Sequence, residues 1–113
     1  MDVMLKTYVI DIDGTICSQK EIGKYEDSEP FLSRIEKINR LYDEGNKIIF
    51  LTARGMGMYS GSFKKAYERW YDVTLNQLNE WGCKFHELYL GKPAGDVYID
   101  DKAMKDTDFF NNG

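Results

Sequence analysis

The apolar positions fall into blocks whose period changes along the chain. Residues 5–10 are strand-like and run straight into Asp11-Ile12-Asp13-Gly14-Thr15, so a first strand ending on two carboxylates is expected. Over 30–44, Phe31, Ile35, Ile38, Leu41 and Tyr42 recur at helical spacing, with Ser28 near the start, Pro30 in the first turn and Gly45 just past the end. That spacing predicts an amphipathic helix. Residues 47–51 are one charge followed by an unbroken apolar run, the pattern of a parallel strand covered on both faces, and the run ends at Thr52. A glycine-rich loop over 54–61 follows. Residues 62–81 predict a long helix with Phe63, Ala66, Trp70, Val73, Thr74 and Leu78 on one stripe and Gly82 as its C′ residue. Two short strands, 85–90 and 96–99, complete the series. Residues 16–25 fit neither period and read as an irregular excursion, a short hairpin being one form it could take.

Strand and helix alternate without repeats, low-complexity tracts or a linker, which is the signature of a doubly wound α/β unit. The expected architecture is a three-layer Rossmann-like parallel sheet with helices on both faces, a single domain over 1–113. One core and one site fit this length. Fifteen Lys and Arg against 19 Asp and Glu give a net charge of −4 with no basic run, which argues against a nucleic-acid partner. No apolar stretch reaches membrane-spanning length and no charged n-region precedes an apolar h-region, so a cytoplasmic protein without a membrane partner is expected. Cys17 and Cys83 have neither CxxC spacing nor histidine neighbours and read as reduced structural thiols. His86 stands alone, which argues against a histidine metal site or a Ser-His-Asp triad.

Chemistry concentrates at the predicted strand ends. These carry Asp11 and Asp13, then Thr52, then Lys92 two residues past the third strand, then Asp100 and Asp101. In a right-handed parallel sheet all four carboxyl ends share one edge, where open α/β sheets hold ligands. Successive strand side chains alternate, so Asp11 and Asp13 leave on the same side unless the turn at Gly14 redirects one. Four carboxylates there would repel, each pair by about 4 kcal/mol at ~4 Å and an effective dielectric near ~20. Lys92 supplies one compensating charge, and a hard divalent ion, Mg²⁺ by preference, is expected for the remainder. A calcium loop is disfavoured because Ile22 stands where an EF-hand needs its bidentate Glu.

The ordered series Asp11-Ile12-Asp13-Gly14-Thr15, Thr52 closing an apolar strand, Lys92, and Asp100-Asp101 after Val97-Tyr98-Ile99 resembles all four sequence motifs of the haloacid dehalogenase (HAD) superfamily. Gly91-Lys92-Pro93 and Tyr98-Ile99-Asp100-Asp101 are further similar to segments of its small phosphatases of capsule and lipopolysaccharide synthesis. The resemblance implies a HAD-like fold and a Mg²⁺-dependent phosphomonoester hydrolase working through an aspartyl-phosphate. It implies Asp11 as nucleophile, Asp13 as acid and base, and Thr52 and Lys92 as catalytic contacts to the phosphoryl group. Thr52, Ala53, Arg54 and Lys92 are the expected substrate-binding residues, Arg54 because a guanidinium two residues from Thr52 could grip phosphate bidentately. Asp11, Asp13, Asp100 and Asp101 are the expected metal set, Asp13 through its backbone carbonyl. The implied substrate is a small phosphorylated sugar or polyol-like metabolite of surface-polysaccharide synthesis.

Asp13 favours phosphoryl over carbon–halogen chemistry, because haloacid dehalogenases lack that second aspartate. The intervals 14–51 and 53–91 each hold about one helix, so no cap domain is expected. An open site then draws on another subunit or on the substrate to exclude water, and Tyr59, Tyr67, Tyr71 and Leu75 form a second apolar stripe on the long helix. A homo-oligomer is expected, packing of that stripe under the 54–61 loop being the alternative. That loop is expected to hang over the crevice, with Ser18, Gln19, Lys20 and Tyr25 as a flap selecting the leaving group. The rival functions are a receiver-like phosphoacceptor module, whose motif order differs, and a catalytically inactive HAD-like binding subunit.

Overall fold

A computed structural model describes residues 4–20, 24–57 and 62–111. Three strands, β1 (Thr7–Ile10), β2 (Lys47–Thr52) and β3 (Glu87–Leu90), form one parallel sheet in the order β1-β2-β3. The helices are α1 (Leu32–Asp43), α2 (Phe63–Glu80) and the short α3 (Asp106–Asn111), with a 3-10 turn at Tyr25–Asp27. Thr7 pairs with Lys47 and Ile10 with Phe50, while Thr52 pairs with Leu90, so all three strands point their carboxyl ends the same way.

The long periodic elements form where their pattern predicts them. β2 buries Ile48, Phe50 and Thr52 on one side and half-buries Ile49 and Leu51 on the other. α1 turns Ile35 and Ile38 inward, and α2 turns in Ala66, Trp70, Thr74, Gln77 and Leu78. The Ser62 hydroxyl caps α2 by accepting from the Lys65 N–H at 3.4 Å, and Gly82 takes φ +74° past its other end. Trp70, Phe50, Ile12, Ile16 and Leu78 are fully enclosed and form the centre of the core. His86 is spent structurally: its Nδ1 accepts from the Ile48 N–H at 3.1 Å and its ring stacks on Tyr42 at 4.6 Å.

Several expectations are corrected. Residues 96–99 are not a strand, and among the described residues the sheet has three strands rather than four. The Tyr98 hydroxyl donates to the Pro93 carbonyl at 2.6 Å and accepts from the Gly95 N–H at 2.9 Å, tying this segment into a local loop instead of a ladder. Ile99 is 94% exposed there. The first and third strands begin two residues later than expected, at Thr7 and Glu87. Phe63, placed on the buried stripe of α2, is exposed instead. α3 was not predicted at all. The excursion forms no hairpin among its described residues: Cys17 bridges Asp13 in parallel and Pro30 antiparallel. Of the second stripe, Tyr71 and Leu75 pack against the core, Tyr67 is exposed, and Tyr59 lies outside the described residues. Among the described residues, no helix is long and apolar enough to cross a membrane.

Candidate active site

The turn after β1 builds the first half of the site. The N–H groups of Thr15 and Ile16 both donate to the Ile12 carbonyl, at 3.0 and 2.9 Å, and Gly14 adopts φ +82° while its N–H reaches the Cys17 carbonyl at 2.9 Å. This coil brings the Thr15 hydroxyl back to donate to Asp11 Oδ2 at 3.0 Å. Lys92 arrives from the far side of the sheet, two residues past β3, because its N–H donates to the Thr52 carbonyl at 3.2 Å. Its Nζ stands 3.4 Å from Asp11 Oδ1 and 4.2 Å from the centroid of the Tyr98 ring. Asp11 thus has a hydroxyl on one oxygen and an ammonium on the other, and its side chain keeps a third of its surface open.

Asp13 faces different partners, so the turn has redirected one of the two carboxylates. Arg54 holds it by two parallel bonds, Nε to Oδ2 and Nη2 to Oδ1, both 2.9 Å. Arg54 was expected to reach substrate, and the structure places it elsewhere: its side chain is 0% exposed. Its Nη1 donates to Thr74 Oγ1 at 3.2 Å and Gln77 Oε1 at 2.7 Å, and Nη2 also lies 4.0 Å from Cys17 Sγ. Those contacts engage all five guanidinium donors and leave none for a phosphate. The Tyr25 ring covers the guanidinium at 5.0 Å, and Gln77 Nε2 donates to the Tyr25 carbonyl at 2.9 Å.

The start of the 54–61 loop is therefore an inward anchor. Gly55 and Met56 are buried with Arg54, Ala53 is half-buried, and residues 58–61 lie outside the described set. Thr52 is buried at the carboxyl end of β2, and its hydroxyl accepts from the Arg54 N–H at 3.1 Å. Of the expected flap, Ser18 Oγ accepts from the Glu29 N–H at 2.9 Å, and Tyr25 belongs to the Arg54 network.

A groove of about 1080 Å³ is lined by Tyr8, Val9, Ile10 and Asp11 and by Val97, Ile99 and Asp100. Lys92 also lines it. Asp100 and Asp101 are exposed. The Lys102 N–H, donating to Asp100 Oδ1 at 2.8 Å, and a hydrogen bond with Asp101 hold the Asp100 carboxyl below the usual carboxylate range. Among the described residues no three of His, Cys, Asp and Glu converge to hold one metal ion. Of the expected Mg²⁺ set, Asp11 and Asp100 line the groove, the Asp13 side chain is held by Arg54 while its backbone carbonyl was the expected ligand, and Asp101 is exposed.

Sequence reading missed Thr74, Gln77 and Tyr25 as parts of a polar cluster. The available signal was two polar residues, three apart, on a helix face otherwise made of Trp70 and Leu78. Burial pushes the thiols of Cys17 and Cys83 up to about 12, with Asp13 adding to the shift at Cys17.

Fold and site together define an open α/β protein with a parallel sheet, whose carboxyl edge bears a lysine-paired carboxylate, a buried threonine and a guanidinium-clamped second carboxylate. No family model and no curated protein matches the chain. A crystal structure of a structural-genomics target from Vibrio cholerae is similar, with a TM-score of 0.84 and 28% identity over 94% of this chain and 88% of that one.

Proposed function

We propose that the chain is a capless HAD-like phosphoric monoester hydrolase. The observation that carries the reading is the environment of Asp11: a carboxylate at the end of a parallel strand, beside Lys92 at 3.4 Å and lining an open groove. Asp11 attacks phosphorus and the ester P–O bond breaks, with Asp13 giving its proton to the leaving alcohol. Water then attacks the phosphorus of the aspartyl-phosphate, its proton passes to Asp13, and inorganic phosphate leaves. Lys92 offsets the charge that develops beside Asp11, and the Thr52 hydroxyl, which accepts from Arg54, has its own O–H to donate to a phosphoryl oxygen.

The capless reading is supported by the single α-helix in each interval between strands among the described residues. A small phosphorylated sugar or polyol-like metabolite fits an entrance without a lid. Mg²⁺ belongs to the same proposal: bound, it would supply Lewis-acid charge compensation, with Asp11 and Asp100, which both line the groove, among the carboxylates that would hold it. A cytoplasmic homo-oligomer completes the picture, the exposed Phe63 and Tyr67 on α2 being the surface that favours association.

Turnover of p-nitrophenyl phosphate with Mg²⁺, lost in Asp11→Asn, is the expected result, together with a beryllofluoride adduct on Asp11. No turnover of any phosphomonoester by the wild-type chain, with no such adduct, overturns the reading.

A further inference from the structure

We propose that Arg54 is a positioning residue that aims and holds Asp13, and that Gln77 and Thr74 of α2 are its mounting. The inference rests on the hydrolase reading and deepens it, because that reading gives Asp13 the proton transfer and the geometry turns Arg54, expected from the sequence to grip substrate, onto that carboxylate. Four observations support it. The contact is bidentate, which fixes the plane of the carboxylate as well as its distance. The guanidinium is wholly enclosed while the Asp13 side chain is 14% exposed, so the clamp is dry at its base and a small part of the acid stays open. The remaining donors are taken by side chains from a different element, Thr74 and Gln77, and Gln77 is itself tied to the Tyr25 carbonyl. The Arg54 N–H also holds the Thr52 hydroxyl, so one residue sets both the acid and a phosphoryl contact.

A carboxylate on a glycine turn has several accessible rotamers, and a proton donor works only within hydrogen-bond reach of the leaving oxygen. A guanidinium locked at its far end removes that freedom without touching the substrate. Lysine cannot replace it, since a single ammonium offers no planar fork to the carboxylate and cannot reach Thr74 and Gln77 at the same time.

The test compares two substrates with one enzyme. An alkyl phosphate needs its leaving oxygen protonated, whereas p-nitrophenyl phosphate has a leaving group that departs with little help. Arg54→Lys should lower kcat on the alkyl ester at least tenfold more than on p-nitrophenyl phosphate, and Asp13→Asn should show the same bias. Combining the two substitutions should add little to Asp13→Asn alone. Gln77→Met, which removes only the mounting, should show the bias more weakly and covers the case in which Arg54→Lys does not fold. Equal losses on both substrates in the folded variants overturn the positioning role and leave the hydrolase reading standing. Absence of wild-type turnover on either substrate overturns both.

Discussion

Gly55 lies against Trp70 so closely that a Cβ at residue 55 would stand 2.6 Å from Trp70 Cδ1 and 2.9 Å from the Ala66 methyl. The residue also has φ +82°, and its N–H donates to the Tyr25 hydroxyl at 3.2 Å. Gly55→Ala therefore combines a left-handed backbone with an overlap in the core, and the expected loss is about 2–4 kcal/mol of stability. Because Arg54 is the preceding residue, the variant should also lose the proposed phosphatase activity at temperatures where it remains folded. Urea denaturation followed by Trp fluorescence measures the first effect. A loss under about 0.5 kcal/mol would refute the packing argument.

Arg34 reaches across 72 positions of sequence to donate to Asp106 Oδ2 at 2.7 Å, while also donating to the Thr15 carbonyl at 2.9 Å. The hydrogen bond from Arg34 holds the Asp106 carboxyl below the usual range. Its unfolded value lies near ~3.9, so the pair contributes stability above about pH 4 and loses it as pH falls through the lower folded value. Asp106→Asn should cost on the order of 1 kcal/mol at pH 7, both side chains being about a fifth exposed, and the gap from wild type should narrow below pH 4. A gap that stays constant down to pH 2 would contradict the assignment.

Cys17 and Cys83 should be inert in the native protein. With both thiols at about 12, the thiolate at pH 8 is roughly one part in 10⁴, and both side chains are buried. Ellman's reagent should titrate neither at pH 8 until denaturant is added, and then two per chain. Rapid native labelling of either would show that its burial is not maintained.

Lys92→Met should keep the fold and lower kcat by about 10²–10³, since the ammonium sits beside the proposed nucleophile and is partly exposed. Lys92→Arg should recover little, because Asp11 and the Tyr98 ring flank the compact ammonium at 3.4 and 4.2 Å. Steady-state kinetics with circular dichroism separates this from unfolding. Wild-type kcat in Lys92→Met would remove Lys92 from the mechanism.

How far the sequence could be read depends on where each element gets its stability. β2 and α2 carry their burial in their own periodicity, so both were legible almost to the residue, as were Ser62 and Gly82 at the ends of α2. α3 was not, because its six residues show no period. It is held by contacts from elsewhere: Lys37 Nζ donating to the Phe109 carbonyl, Arg34 over the Phe110 ring at 4.7 Å, and Tyr8 against Phe109 at 5.7 Å. The apolar tripeptide at 97–99 looked like a strand because composition does not reveal that Tyr98 spends its hydroxyl on Pro93 and Gly95. In the site, Asp11, Thr52 and Lys92 were legible as strand-end residues. The direction of Arg54 was not, since it depends on Thr74 and Gln77, which are 20 and 23 residues away.

The sheet terminates on the strand that leads into Asp11, and residues of that strand line the groove. Any extended peptide that docks along this rim, whether from the same molecule or another, must run past the Asp11 carboxyl. Lengthening the sheet and admitting the proposed substrate therefore compete for the same ground, and crowding at this border would throttle the proposed chemistry before it disturbed the interior.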